Sequence, residues 1–335
     1  MKNVAILGAS GLVGQTLVRL LEERDFPVGK LRILATARSA GQTVTFRGEE
    51  LVIEEATPDA FAGVDIAFFA ASNEASRDLA PEAVRRGAVV IDKSSYWRMH
   101  PEVPLAVPEV NPDAIRQHRG IIASPNCSTI QLVLPLKALH DAAGLRRVVV
   151  STYQAVSGTG KEAVEELRRQ APRVLAGEDP EPRVYPRPIA FNVLPHCDSF
   201  QENGYTREEM KLTLETRKIL GLPDLPIAAT AVRVPVFTGH SEAVLVETEE
   251  KLTPAQAREV LARMPGVVVV DDPAAPAYPD PVMAAGRDEV FVGRIREDLS
   301  SPTGLWLWVV SDNLRKGAAT NAIQIAEFLI REGLR

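Results

Sequence analysis

The segment Ser124-Pro125-Asn126-Cys127-Ser128-Thr129 sets a thiol between a short apolar run ending near Ala123 and an apolar, helix-like stretch beginning about Thr129. A cysteine at the start of a helix meets the positive end of the helix dipole, which favours thiolate over thiol. The N–H groups of the first turn are free to hold an oxyanion there. A second constellation is Arg233-Val234-Pro235-Val236-Phe237-Thr238-Gly239-His240-Ser241, two strand-like runs joined by a glycine turn. Its imidazole can exchange a proton with a thiol or a thiohemiacetal hydroxyl, and its guanidinium can fork onto a carboxylate. Taken alone, the same segment also reads as a hydrogen-bonded turn histidine and a surface arginine. Glu208 and Lys211, three residues apart, share a helix face, for which a surface ion pair is the simpler reading; Thr206 with Glu209 spells a capping box. The only other cysteine, Cys197, has no helix-start context and reads as structural. His100, His118, His140 and His196 fall at no metal-ligand spacing, so no metal is expected.

Gly8-Ala9-Ser10-Gly11-Leu12-Val13-Gly14 follows the first apolar run and opens the first helical stretch. Glycines let a backbone turn tightly and approach a pyrophosphate, whose charge is met at a helix N-terminus. The spacing is G-x-x-G-x-x-G rather than the usual G-x-G-x-x-G. After the second run an NAD site would place an acidic residue for the ribose 2′-hydroxyl. This chain has Thr36-Ala37-Arg38-Ser39 instead. A guanidinium beside hydroxyls suits a 2′-phosphate, so NADP is expected over NAD, the alternative being a solvated loop arginine.

These residues need a scaffold, and hydropathy periods supply one. Short apolar runs at 4–8, 31–35, 51–54, 66–70, 89–91 and 121–123 alternate with helix-like stretches at 12–21, 74–86 and 111–118, the pattern of βαβ units on a buried parallel sheet. Beyond Arg147 longer strand candidates at 148–155, 228–236, 242–248, 290–296 and 305–311 predict one mixed or antiparallel sheet. Helices are predicted at 160–175, 206–220, 253–264 and 315–330, and the proline-rich stretch 272–281 is predicted to be a loop. The fold class is therefore α/β: a Rossmann-like doubly wound parallel-sheet domain followed by an α+β domain.

Length and charge agree. The 335 residues suffice for about two domains. With 38 Lys plus Arg against 44 Asp plus Glu, the net charge of −6 argues against a nucleic-acid binder. No apolar run approaches the roughly 18 residues of a membrane helix. Two cysteines cannot form a disulfide framework, which fits a reducing cytoplasm.

Taken together, the Gly8–Gly14 turn, Ala37-Arg38-Ser39-Ala40-Gly41, Ser94-Ser95-Tyr96-Trp97-Arg98-Met99, Val107-Pro108-Glu109-Val110-Asn111, Pro125-Asn126-Cys127-Ser128-Thr129, Gln154-Ala155-Val156-Ser157-Gly158-Thr159-Gly160, Glu208-Glu209-Met210-Lys211, Arg233 to Ser241 and Asp312-Asn313-Leu314-Arg315-Lys316-Gly317-Ala318-Ala319 resemble the aspartate-semialdehyde dehydrogenase family along essentially the whole chain. The resemblance implies NADPH-dependent conversion of L-aspartyl 4-phosphate to aspartate 4-semialdehyde and phosphate, on the route to lysine, threonine and methionine. It implies Cys127 as the nucleophile that forms an acyl-thioester, His240 as its acid/base partner and Gln154 as the residue orienting substrate beside the cysteine. Arg233 would clamp the α-carboxylate and Glu208 the amino group; Arg98, Lys211 and Asn126 would serve the phosphate. For the cofactor it implies Ser10, Gly11, Leu12 and Val13 at the pyrophosphate, Thr36, Arg38 and Ser39 at the adenosine end, Ser157 and Gly158 near the nicotinamide, and Asn313. It divides the chain into an NADP-binding domain, 1–126, completed by a C-terminal helix, 313–335, and a catalytic and dimerisation domain, 127–312, making a homodimer or a tetramer. Three other readings are weighed on the residues: an N-acetyl-glutamyl-phosphate reductase, whose cysteine usually lies among Gly, Tyr and Pro-Thr; a cysteine hydrolase using Cys127 and His240 without a nucleotide; and a non-catalytic NADP-binding regulator, against which the retention of both Cys127 and His240 speaks. Glu242, beside His240, receives no role.

Overall fold

Alternation of side chains along each strand decides where the first core forms. The computed structural model describes residues 1–334, with Arg38 described for its backbone alone, and divides into two units: Met1–Asn126 with the chain from Ala318 onward, and Cys127–Gly317. The first unit runs β1 (Lys2–Leu7), α1 (Leu12–Glu23), β2 (Val28–Ala35), β3 (Thr43–Phe46), β4 (Glu49–Glu55), β5 (Ile66–Phe69), α2 (Asn73–Arg85), β6 (Val89–Asp92), α3 (Pro112–Arg116) and β7 (Ile121–Ala123). Its sheet has the order β3-β4-β2-β1-β5-β6-β7, parallel throughout except for the antiparallel β3–β4 pair.

Val4, Ile6, Ile33, Phe68 and Ile91 face one layer with Leu17, Leu20 and Leu21 of α1, while Ala5, Leu7, Leu34, Ala67, Phe69 and Val90 face the other with Phe61 and with Ala80 and Ala83 of α2. Such two-sided burial is what a doubly wound parallel sheet demands of its strands. The C-terminal helix Asn321–Glu332 completes the first layer with Ile323, Ile325, Phe328 and Leu329. Arg24 anchors it through two 2.8 Å bonds to the Glu327 carboxylate. The chain leaves β1 for β2 on one side, and β5 lies on the other. Their carboxyl ends therefore form the switch point at which such sheets bind ligands.

The second unit runs α4 (Cys127–Ala143), β8 (Leu145–Gln154), α5 (Lys161–Leu175), α6 (Arg207–Leu220), β9 (Ile227–Arg233), β10 (His240–Thr248), α7 (Pro254–Ala262), β11 (Val267–Val269), α8 (Pro281–Ala284), β12 (Val290–Glu297) and β13 (Gly304–Ser311). The sheet is mixed, in the order β11-β12-β13-β10-β8-β9, with β8–β9 and β11–β12 parallel and the other pairs antiparallel. α4 is apolar on every side because it is covered on every side: it crosses β8, β10 and β13 and is flanked by α6 and α7. Buried Glu166 and Gln170 of α5 hold the loop beyond that helix, accepting from the N–H groups of Arg183, Val184, Ile189 and Ala190.

The structure adds what the periods missed. β3 is a four-residue edge strand, too short and too polar to show an apolar run, and α8 interrupts the end of the proline-rich loop. The last helix was expected from 315, but Arg315–Thr320 forms a wide π-type turn before regular helix begins at Asn321. Residues 313–317, expected with the nucleotide domain, are tied to the second unit by Asn313, by Gly317 N–H on Asp312 O and by Arg315 on Asp288.

Candidate active site

Strand register assembles the site in the second unit. β8 and β9 run parallel and end on the paired residues Gln154 and Arg233. β10 runs antiparallel to β8 and starts at His240, opposite Ser311, where β13 stops. Four adjacent strands thus deliver four polar side chains to one end of the sheet. Only Gly144, in the left-handed region at φ 66°, separates α4 from β8, so the helix runs back along the strand and brings Cys127 to the same end. Gln131, one helical turn after Cys127, ties helix to sheet: its Nε2 donates to His240 O at 3.3 Å and its Oε1 accepts from Ser311 Oγ at 2.8 Å. Gly317 lies so close that a Cβ there would fall 3.0 Å from Cys127 Cβ.

His240 is fully buried, and its Nδ1 accepts from Ala155 N–H at 3.0 Å. Burial, with Arg233 nearby, lowers its pKa to about 3, against a weaker opposing pull from Glu208. Among the described residues its Nε2 has no hydrogen-bond partner, nor has either carboxylate oxygen of Glu242, two residues along β10. A buried polar group left unmet costs about 1–3 kcal/mol, and such groups concentrate where chemistry uses them. Glu242 is pushed well up by burial, with Gln131 pulling the other way.

Arg233 is buried, donating from Nη1 to Ala155 O at 2.8 Å, while its Nε has no partner among the described residues. Gln154 Nε2 reaches Thr152 Oγ1 and Glu208 Oε1, each at 3.2 Å. Glu208 is no surface residue; its Oε2 also accepts from Lys211 Nζ at 3.1 Å, and Lys211 donates to Asp198 Oδ2 at 2.8 Å. Burial opposes the lysine charge, but Glu208 and Asp198 outweigh it and hold its pKa above the ordinary value. The capping box forms as the sequence predicts, and the other oxygen of Glu209 accepts from Ala231 N–H of β9, fixing α6 to the sheet. Cys197 is buried within electrostatic reach of Arg233, Glu208 and Cys127, and burial pushes its thiol up to about 12.

The residues expected at a nucleotide fit one. Gly8, at φ 91°, closes the end of β1 so tightly that a Cβ would sit 2.3 Å from Ala70 O, across the switch point; at Gly14 a Cβ would sit 2.3 Å from Gly8 O. No side chain caps α1, whose flank carries exposed Ser10 and Gly11 and half-buried Leu12 and Val13. Thr36 and Ser39 bracket a single 3₁₀ turn, while the side chain of Arg38 lies outside the described residues. In the second unit a Cβ on Gly158 would stand 2.9 Å from both Arg233 Nη1 and His240 Cε1, so only glycine leaves that face clear. Asn313 shares hydrogen bonds with Ser157 and accepts from Gly239 N–H at 2.9 Å, bracing the two turns beside His240.

Arg98 and Asn126 are buried in the first unit. Arg98 Nη2 donates to Lys93 O at 2.8 Å, and Lys93 Nζ reaches Ser124 Oγ and Pro125 O, just before Asn126. Sequence reasoning passed over Gln131, Ser311 and the Ala155 N–H. Gln131 carries one signal, its one-turn spacing from Cys127; the other two become visible only through long-range pairing. Among the described residues no cluster of His, Cys, Asp or Glu could hold a metal ion, and no helix is long and apolar enough to cross a membrane.

A Rossmann-type unit joined to a mixed-sheet unit with a cysteine at a helix start is the construction of a nicotinamide-dependent dehydrogenase. The family model described as semialdehyde dehydrogenase, NAD binding domain, matches residues 3–118, and the one described as semialdehyde dehydrogenase, dimerisation domain, matches residues 136–316. The aspartate-semialdehyde dehydrogenase of Aquifex aeolicus is 53% identical over 99% of this chain and 99% of its own length, and that of Bacillus subtilis is 52% identical over 98% and 97%. The crystal structure of aspartate semialdehyde dehydrogenase II from Vibrio cholerae, complexed with ASA, superposes with a TM-score of 0.96 at 46% identity, covering 99% of each chain. The chain belongs to the aspartate-semialdehyde dehydrogenase family of oxidoreductases.

Proposed function

We propose that this protein reduces L-aspartyl 4-phosphate to aspartate 4-semialdehyde and phosphate with NADPH, through a thioester on Cys127, on the route to lysine, threonine and methionine. The observation that carries the reading is the convergence of Cys127, Gln154, Arg233 and His240 at one end of the second sheet. An acyl phosphate is already activated, so the protein must supply a nucleophile, cations for the departing phosphate and fixed geometry. Cys127 attacks from the start of α4, where the helix dipole favours its thiolate. Arg233 binds the α-carboxylate. Glu208, held by Gln154 and Lys211, receives the amino group, and Gln154 orients the reacting carbonyl. Arg98, Lys211 and Asn126 stabilise the leaving phosphate.

The bound nicotinamide supplies the hydride. Ser10, Gly11, Leu12 and Val13 would hold the pyrophosphate, Thr36, Arg38 and Ser39 the 2′-phosphate, and Ser157, Gly158 and Asn313 the nicotinamide end. That division makes residues 1–126 with the C-terminal helix the NADP-binding domain and the second unit the catalytic one. NADP over NAD rests on the lack of an acidic residue at 36–39. A homodimer through the second unit is supported by the outward sheet face, where Tyr153 and Trp308 lie half-exposed with ring centroids 5.4 Å apart. Cytoplasmic location is supported by the cysteine usage, two in 335 residues, which fits a reducing compartment.

The test is absorbance at the reduced-nicotinamide band when the protein meets NADP and aspartate semialdehyde, with and without inorganic phosphate. Phosphate-dependent reduction is expected, and faster with NADP than with NAD. Reduction that ignores phosphate would remove the acyl-phosphate chemistry.

A further inference from the structure

Lys93 directly follows the last residue of β6, at the carboxyl edge of the first sheet, the edge at which such sheets bind ligands. Its backbone N–H donates to Phe69 O at the end of β5 at 2.8 Å, and beyond it Ser124 N–H donates to Asp92 O at 2.7 Å. The backbone is therefore fixed between two strand ends. The half-buried side chain is held as firmly: Nζ donates to Pro125 O at 2.9 Å and to Ser124 Oγ at 3.2 Å, and Ser124 Oγ also accepts from Asn321 Nδ2 at 2.9 Å. Lys93 O in turn accepts from Nη2 of buried Arg98 at 2.8 Å. One chain of bonds thus runs from the Arg98 guanidinium through Lys93 to the carbonyl just before Asn126.

The acceptors in that chain are carbonyls and a hydroxyl, which orient a cation without cancelling its charge. The adjacent carboxylate is turned to other work: Asp92 Oδ1 accepts from Ser76 Oγ at 2.7 Å and Oδ2 from Ser94 Oγ at 2.6 Å. Because the guanidinium touches the lysine's own carbonyl, the two cations lie within one lysine side chain's length of each other. Like charges so placed repel, and an anion between them turns the repulsion into attraction.

We infer that Lys93 binds the phosphoryl group of the acyl phosphate, and inorganic phosphate in the reverse direction, as a fixed cation beside Arg98 and Asn126. This deepens the proposed function and rests on its reading of Arg98 and Asn126 as phosphate residues. When the Cys127 thiolate forms its C–S bond, the bond from the acyl carbon to the bridging oxygen breaks and its electron pair leaves with the phosphate. The added negative charge falls where Lys93 and Arg98 are held.

The first test is the rate of semialdehyde oxidation by the full chain as inorganic phosphate is varied. Lys93→Met keeps most of the stem and loses the charge; it should raise KM for phosphate by about 10–100-fold while KM for semialdehyde and for NADP stays within about threefold. Lys93→Arg, which keeps the charge, should recover most of that loss. A phosphate KM unchanged in Lys93→Met would overturn the inference. So would a loss confined to kcat, the mark of a residue that only braces the loop before Cys127. The second test needs no variant: acetic anhydride labelling of the parent, read by mass spectrometry, should slow at Lys93 as inorganic phosphate is raised and stay unchanged at exposed Lys30. Labelling of Lys93 that ignores phosphate would overturn the inference on its own. Protection of Lys93 in a protein whose turnover ignores phosphate would sustain the phosphate site and sink the acyl-phosphate reaction instead.

Discussion

At the scale of single residues the protein sorts two cysteines by environment alone. Cys127 opens a helix, whereas Cys197 lies under protein on all sides with its thiol pushed up to about 12. At pH 8 such a thiol is ionised to only about one part in 10⁴. Iodoacetamide at that pH should therefore label Cys127 and spare Cys197 until the chain unfolds, which peptide mapping would reveal; prompt labelling of Cys197 would contradict its burial. Cys127→Ala should cut turnover at least about 10³-fold while cofactor affinity stays within about twofold. Arg233 is a different kind of residue: its guanidinium already spends Nη1 on Ala155 O, so the fork is aimed before any ligand arrives. Lysine cannot hold that carbonyl and a carboxylate together in one plane. Arg233→Lys should raise KM for the semialdehyde by about 10–100-fold with a smaller fall in kcat, and a KM left unchanged would take the carboxylate from Arg233.

At the scale of elements the site depends on how tightly neighbouring segments meet α4 and α6. Gly317, in the π-type turn, approaches Cys127 closely enough that an alanine Cβ would fall 3.0 Å from Cys127 Cβ, inside the roughly 3.5–4.0 Å of comfortable carbon contact. Gly317→Ala should lower kcat about tenfold by tilting the start of α4, with the KM for cofactor little changed; a full-rate variant would show that the helix start tolerates the push. Thr206→Ala removes the cap of α6 at a cost of about 1 kcal/mol in stability, and it should also raise substrate KM because Glu208 sits in that first turn. Most of these elements were legible from hydropathy period. The strand runs, the glycine turn and the Thr206 box stand in the sequence because each is a local pattern. The contacts that give the site its chemistry were not. Glu208 reads as a surface ion pair from its spacing with Lys211, and its burial against Gln154 depends on the pairing of β8 with β9. His240 reads as an acid/base residue from its type; its tautomer depends on an N–H contributed from 85 residues away.

At the scale of the molecule both units place their functional ends where strands terminate, so the same burial that holds each core also surrounds the groups doing chemistry. Glu242 shows the energetic consequence for the second unit. It lies on the α4-facing side of β10, fully buried, with neither oxygen hydrogen-bonded among the described residues, and burial raises its pKa well above the ordinary carboxylate value against a weaker pull from Gln131. Below about pH 4.5 the carboxyl is protonated in folded and unfolded chains alike, and its protonation contributes no pH dependence. Above that, the unfolded chain releases the proton while the folded one retains it, so stability falls as pH rises until the folded group itself ionises. The slope in that window approaches about 1.4 kcal/mol per pH unit. Glu242→Gln removes the titration and keeps the shape. The difference in unfolding free energy, variant minus parent, should therefore be flat near pH 4 and grow in the variant's favour toward pH 8, measured by urea denaturation at a series of pH values. A difference that stays level across the range would mean that the folded carboxyl titrates as it does in water, and that some compensating charge within the second unit reaches it.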